Sequence, residues 1–283
     1  MRWSPGSDSS NVEDRRGSRG GMGMAPMGIG GTVILVVLSL IFGRDFISGS
    51  NADPQQQAAS GEVAPPVKQS PAEAREVQFV TFVLDTAQAT WAKVLPQEMS
   101  TRWHDAHLVL FRDRTPTGCG TGQTAMGPFY CPVDEKVYID LAFYNELSKR
   151  FGASGDLAQA YVITHELGHH VQHLLGVDAQ VRDAQERNPA RAKALSVALE
   201  LQADCYAGVW AHHSEGEKML EPGEIEQGLN AAAAVGDDRI QQATTGHVNA
   251  DSFTHGSSQQ RASWFRRGFT SGNPKECDTF NGA

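Results

Sequence analysis

Cations are scarce in this 283-residue chain: 24 Lys and Arg face 33 Asp and Glu, for a formal charge of −9. Gripping a phosphate backbone takes clustered cations, so this balance speaks against a nucleic-acid partner. None of the four cysteines forms a C-x-x-C pair, which removes the usual structural zinc framework. The glycine-rich run Thr117–Gly122 lacks a Gly-Lys-Ser/Thr ending and leads into no helix. It therefore reads as a turn-rich loop rather than a nucleotide site. No internal repeat is evident, and the length suits a tail plus one domain with a sizeable core.

What the chain has in its first quarter is one uncharged stretch, Gly20 to Gly43, with an apolar heart from Ile29 to Phe42. Crossing about 30 Å of hydrocarbon takes roughly 20 helical residues, which this stretch supplies. Arg2, Arg15, Arg16 and Arg19 precede it and only Arg44 follows closely, so the positive-inside bias predicts an N-terminus in the cytoplasm. No clear Ala-x-Ala site follows Phe42, which favours an uncleaved signal anchor over a signal peptide. The expected organisation is a disordered cytoplasmic tail (1–19), a transmembrane anchor (20–43), a flexible Gln/Ala/Ser/Pro linker (44–70) and a domain (71–283) outside the cytoplasm. An even set of cysteines suits that compartment. Of the three pairings, Cys119–Cys131 would close the Gly-rich loop and Cys205–Cys277 would fasten the C-terminal segment; buried free thiols are the alternative.

The chemistry is concentrated in Thr164–His170, where His165, Glu166 and His169 have H-E-x-x-H spacing. Residues four apart share a helical face, so both imidazoles can reach one metal ion while Glu166 reaches a water on it. Leu157, Ala160, Tyr161, Ile163, Leu167 and Val171 supply the apolar stripe of a buried helix, and Gly176 marks its end. Catalytic zinc takes three protein ligands plus water. A third His ten residues after the first is excluded because position 175 is Leu. Glu200 and Asp204, four apart in an apolar segment, are the remaining source, since a buried carboxylate pair needs a cation or strong hydrogen bonds. Glu200 is expected as the third ligand with Asp204 accepting from a ligand imidazole; the reverse assignment fits the same spacing. His170 and His173 are expected to pack or hydrogen-bond rather than ligate, and His212, His213 and His247 read as surface or capping residues.

Three blocks, His165-Glu166-Leu167-Gly168-His169-His170, Glu200-Leu201-Gln202-Ala203-Asp204 and Asp251-Ser252-Phe253-Thr254-His255-Gly256-Ser257, together resemble the neutral zinc metallopeptidase family of bacteria. The resemblance runs from about Phe79 to the C-terminus. The Glu-x-x-Ala-Asp block is also similar to membrane-associated zincins of the CAAX-protease and heat-shock-protease type, whose later His is followed six residues on by Arg. His255 and Arg261 match that spacing. The resemblance implies that His255 stabilises the oxyanion of a tetrahedral intermediate and that Arg261 contacts the ligand carboxylate.

Elsewhere, periodicity predicts a long amphipathic helix over 72–95, strands at 108–111, 128–132 and 136–140, and a short helix over 143–150. About four helices should follow the motif helix, with Asp237-Asp238-Arg239 as a break. The fold class expected is α+β: a zincin-like, mostly helical domain with a small sheet behind one N-terminal transmembrane helix and a disordered linker. The expected function is that of a membrane-anchored metallopeptidase carrying one zinc per chain and hydrolysing peptide or protein substrate, with Glu166 as general base. A non-catalytic zincin-fold scaffold and a zinc hydrolase of an envelope amide are the alternatives.

Overall fold

The computed structural model describes residues 1–4, 9–17, 67 and 69–281. Its longest helix, α1 (Pro71–Met99), begins where the Ser70 hydroxyl accepts from the Glu73 amide and Pro71 fills the first turn. The stripe from Phe79 through Val83, Ala87 and Trp91 to Leu95 is buried. The helix runs past Pro96 and stops at Ser100, whose φ of 54° is left-handed.

One sheet contains Val12–Asp14 (β1), His107–Leu110 (β2), Phe129–Cys131 (β5) and Lys136–Ile139 (β6), in the order β1-β2-β6-β5. The β1–β2 and β2–β6 pairs are parallel and β5–β6 is antiparallel. Arg114–Thr117 (β3) and Gly120–Gln123 (β4) pair as a separate antiparallel hairpin, so much of the expected Gly-rich loop is strand. The Cys119–Cys131 disulfide fastens its tip to β5.

The expectation of an N-terminal transmembrane helix needs correction. Among the described residues, no helix is long and apolar enough to cross a membrane. The stretch 20–43 and the linker over 44–70, apart from Val67, Gln69 and Ser70, lie outside the described residues. The topology read from them fails on its flanks, because Val12, Glu13 and Asp14 register with Leu108, Val109 and Leu110. A single crossing between residues 19 and 44 would put those strands on opposite faces of a bilayer, where they could not share a sheet. Nor is the described part of 1–19 a loose tail. Trp3 packs edge-on against Phe79 at 5.2 Å, and Met1 joins Asp156 and Glu224. Arg15 and Arg16, which read as flanking charges of a span, pair within the domain. Arg15 bonds Glu13 at 2.7 Å, and buried Arg16 bonds Asp14 at 2.6 Å and Glu73 at 2.9 Å. The fold is α+β and mostly helical, with β1 built from the residues expected to be a tail.

The helices after the sheet are α2 (Ala142–Lys149), α3 (Asp156–Leu174), α4 (Val177–Arg187), α5 (Ala192–Gly216), α6 (Ile225–Ala234), α7 (Asp237–Thr245) and α8 (Ser258–Ser271). Five therefore follow the motif helix α3 among the described residues. The extra one is α7, which begins at the expected break: Asp237 and Asp238 occupy its first turn, where carboxylates oppose the helix dipole. α8 starts from a capping box of Ser257 and Gln260 and ends at left-handed Gly272.

α3, α5 and α8 meet at glycines. A Cβ on Gly168 would lie 2.8 Å from the Ala203 carbonyl oxygen, and one on Gly268 would lie 1.9 Å from that of Cys205. These backbones touch because no side chain separates them. Leu167, Tyr206, Trp210 and Phe265 are buried around the crossings, each such apolar side chain contributing about 1.5–3 kcal/mol on burial. The Cys205–Cys277 disulfide joins the C-terminal segment to α5.

Candidate metal centre

α3 is buried on most sides, and His165 and His169 lie one turn apart on it with ring centroids 4.9 Å apart. The close approach at Gly168 brings α5 against that same face. There Glu200 places one oxygen 3.2 Å from His165 Nε2 and the other 3.6 Å from His169 Nε2. His165, His169 and Glu200 are thus grouped so that one cation could sit among them. Two imidazoles and a carboxylate form the donor set of catalytic zinc with an open position, so these residues fit the metal.

The opposite nitrogens of both rings are held. His165 Nδ1 lies 2.9 Å from Asp204 Oδ1, which accepts from the Tyr161 hydroxyl at 2.5 Å and from Arg261 Nη2 at 3.0 Å. Arg261 Nε donates to Asp204 Oδ2 at 2.8 Å, so the fully buried carboxylate is saturated. His169 Nδ1 donates to Gln172 Oε1 at 2.8 Å, and the Gln172 amide donates to the Leu199 carbonyl at 2.7 Å. Each arrangement turns an Nε2 toward Glu200. The two ring nitrogens of His165 therefore separate the two acids, with Glu200 on the Nε2 side and Asp204 on the Nδ1 side.

Burial alone would raise the Asp204 carboxyl, but Arg261 and His165 hold it below the usual range. Burial also opposes ionisation of Glu200; the charges of His169, His165 and His255 outweigh it and keep Glu200 well below the usual range. For His165, burial works downward while Asp204 and Glu200 lift the imidazole to about 10. The pocket is thus set to hold positive charge beside these carboxylates. Glu166, 7% exposed, is pushed up, chiefly by burial. A carboxylate so raised moves toward the range where a proton can be both taken and returned.

His255 precedes α8 and bonds Asp237, with Nδ1 3.1 Å from Oδ1. The other Asp237 oxygen accepts the amides of Thr254 and His255 at 2.7 Å and of Gly256 at 3.1 Å, fixing the loop. Burial lowers His255, yet the Asp237 bond and the charge of Glu200 leave it raised.

His165, His169, Glu200, Asp204 and Arg261 are brought together here. Arg261 reaches Asp204 directly and stays 3.8 Å from Glu200, so its contact is with the supporting acid more than with the candidate ligand. His170 bonds Tyr130 and the His104 carbonyl, and His173 bonds Asp178. His212 and His213 bond the Phe269 and Gly272 carbonyls at the end of α8. Sequence reasoning did not assign Tyr161, Gln172 or Asp237 to the site: Tyr161 read as part of the apolar stripe and Asp237 as part of a helix break. Tyr161 precedes His165 by four residues and Gln172 follows His169 by three, spacings that already placed them beside the motif. Asp237 carried no such signal.

The family model described as "Putative neutral zinc metallopeptidase" matches residues 1–280. The chain is 47% identical to the uncharacterized protein YpfJ of Escherichia coli strain K12 over 289 residues, covering 99% of each. It is 45% identical over 210 residues to the uncharacterized protein Rv2575 of Mycobacterium tuberculosis strain H37Rv, covering 70% of this chain and 69% of that protein. No solved structure matches it. A match that begins in the N-terminal strand segment and takes in all three motif blocks shows that the chain belongs to the neutral zinc metallopeptidase family.

Proposed function

We propose that this protein is a zinc endopeptidase with one catalytic zinc per chain, held by His165, His169 and Glu200. The observation that carries the reading is the pair of Nε2 atoms facing the two oxygens of Glu200 at 3.2 and 3.6 Å, with Glu166 buried beside them. Zinc, when bound, supplies Lewis acidity: it polarises a carbonyl and brings a coordinated water to a pKa of about 7. Glu166 takes the proton of the attacking water and passes it to the departing amine, a transfer its raised affinity for protons favours. His255, oriented by Asp237, donates toward the developing oxyanion. Asp204, Tyr161 and Arg261 hold His165, and Gln172 holds His169. Among the described residues β5 is the terminal strand of the sheet, next to α3, and its outer edge suits an extended peptide pairing through main-chain hydrogen bonds. Two disulfides support action outside the cytoplasm.

The decisive experiment compares wild type with Glu166→Gln for bound zinc and for cleavage of a peptide library. The variant keeps its zinc and loses about 10²–10⁴-fold in rate. Cleavage at the wild-type rate would overturn the reading.

A further inference from the structure

His165 and His169 are held from behind in different ways. The charged Asp204 stands at His165 Nδ1, whereas His169 Nδ1 meets the first of two buried amides. His169 Nδ1 donates to Gln172 Oε1 at 2.8 Å. The Gln172 amide nitrogen uses both of its hydrogens, one toward the Leu199 carbonyl at 2.7 Å and one toward Gln202 Oε1 at 3.1 Å. Gln202 Nε2 donates in turn to the carbonyl of Cys277 at 3.0 Å. That carbonyl belongs to the C-terminal segment, which is strapped along α5. Cys277 is bonded to Cys205, and the Thr279 hydroxyl donates to the Ala198 carbonyl at 2.6 Å. Ala198, Gln202 and Cys205 are four and three residues apart, so the strap follows one face of the helix that carries Glu200.

We infer that Gln202 is a positioning residue for the metal centre, relaying the fixed polarity of the Cys277 carbonyl through Gln172 to His169; this rests on His169 being a zinc ligand. A carbonyl can only accept. Cys277 therefore draws the NH2 end of Gln202, which leaves Gln202 Oε1 facing Gln172. That oxygen and the Leu199 carbonyl both draw the NH2 end of Gln172, which leaves Gln172 Oε1 facing His169. An acceptor there selects hydrogen on Nδ1, so Nε2, across the ring, is the nitrogen available to a metal. Turning either amide over would set acceptor against acceptor in a buried place, where an unpaired polar group is costly. The orientation of His169 is thus set by the sense of aligned dipoles rather than by a charge. The Cys205–Cys277 disulfide serves the ligand as well as the fold, because it holds the last acceptor of the path in place.

The test is zinc affinity of the full chain by chelator competition, with NMR of the His169 Nδ1–H proton in the zinc-bound protein and thermal unfolding recorded alongside. Gln172→Met weakens zinc about 10–100-fold, as loss of a partner behind a ligand histidine does. Gln202→Met weakens it about tenfold, the low end of that range, and shifts the Nδ1–H signal in the same direction as Gln172→Met. Because Gln202 acts through Gln172, the double variant binds zinc no more weakly than Gln172→Met alone. Thr279→Val, which loosens the strap, moves the signal the same way, and Thr279→Ser restores it. Wild-type affinity and an unmoved Nδ1–H signal in Gln202→Met, with only the melting temperature lowered, overturn the relay and leave the zinc centre standing. A double variant weakened by the product of the two single effects also overturns it. A wild type that binds no zinc overturns the ligand assignment and the relay together.

Discussion

Asp204 Oδ1 sits 2.9 Å from His165 Nδ1, on the side of the ring away from Glu200. With Asp204 occupying Nδ1, only Glu200 remains on the Nε2 side, 3.2 Å away. Spacing alone left the two exchangeable. Asp204→Asn should keep the shape but lose the charge that fixes the tautomer, weakening zinc affinity about 10–100-fold. Chelator competition measures this, and unchanged affinity would show that the Asp204 charge does not support the metal-facing form of His165.

Gly168 lies between the two candidate histidines, and its own role is steric. A Cβ there would meet the Ala203 carbonyl oxygen at 2.8 Å and force α3 from α5. Gly168→Ala should cost about 1–3 kcal/mol, as overpacking does. Because the shift also moves Glu200 from both imidazoles, zinc content should fall with the melting temperature.

His255 and Asp237 form the other polar pair, with Nδ1 and Oδ1 3.1 Å apart. His255→Ala should lower kcat about 10²–10³-fold, the usual cost of one oxyanion donor, and leave bound zinc unchanged. Asp237→Asn should lower it less, since the imidazole remains. Steady-state peptide cleavage with metal analysis checks both, and loss of zinc in His255→Ala would move that residue into the ligand set.

Acid should release the N-terminal strand before the core. Hydrogen bonding from Arg15, opposed by burial and aided by Lys136, holds Glu13 at about 2 against an ordinary 4.5. A carboxylate held that low stabilises β1 fully above pH 4.5 and loses the effect as the pH falls toward 2. Hydrogen exchange of the Val12–Asp14 amides should accelerate in that window while α3 stays protected. Equal acceleration in both would show that β1 does not open independently.

Much of this arrangement was legible in the chain because helices repeat. The four-residue steps from His165 to His169 and from Glu200 to Asp204 put side chains on common faces whatever the surrounding fold. The burial of α1 and α3 followed from apolar periodicity. Contacts without a period were not legible. Val12-Glu13-Asp14 is too short and too charged to announce a strand, and it pairs across 96 positions of sequence with Leu108-Val109-Leu110. Its neighbours Arg15 and Arg16 read as membrane-flanking charges because their carboxylate partners are fixed only by folding. Asp237 looked like a break for the same reason, its value lying in a loop 18 residues further on.

Arg16 has one more consequence. Its guanidinium donates to Gln69 Oε1 at 2.9 Å as well as to Asp14 and Glu73, so the described residues on either side of 18–66 are clasped by one side chain. Whatever the intervening stretch does, it starts and finishes at the same doorway.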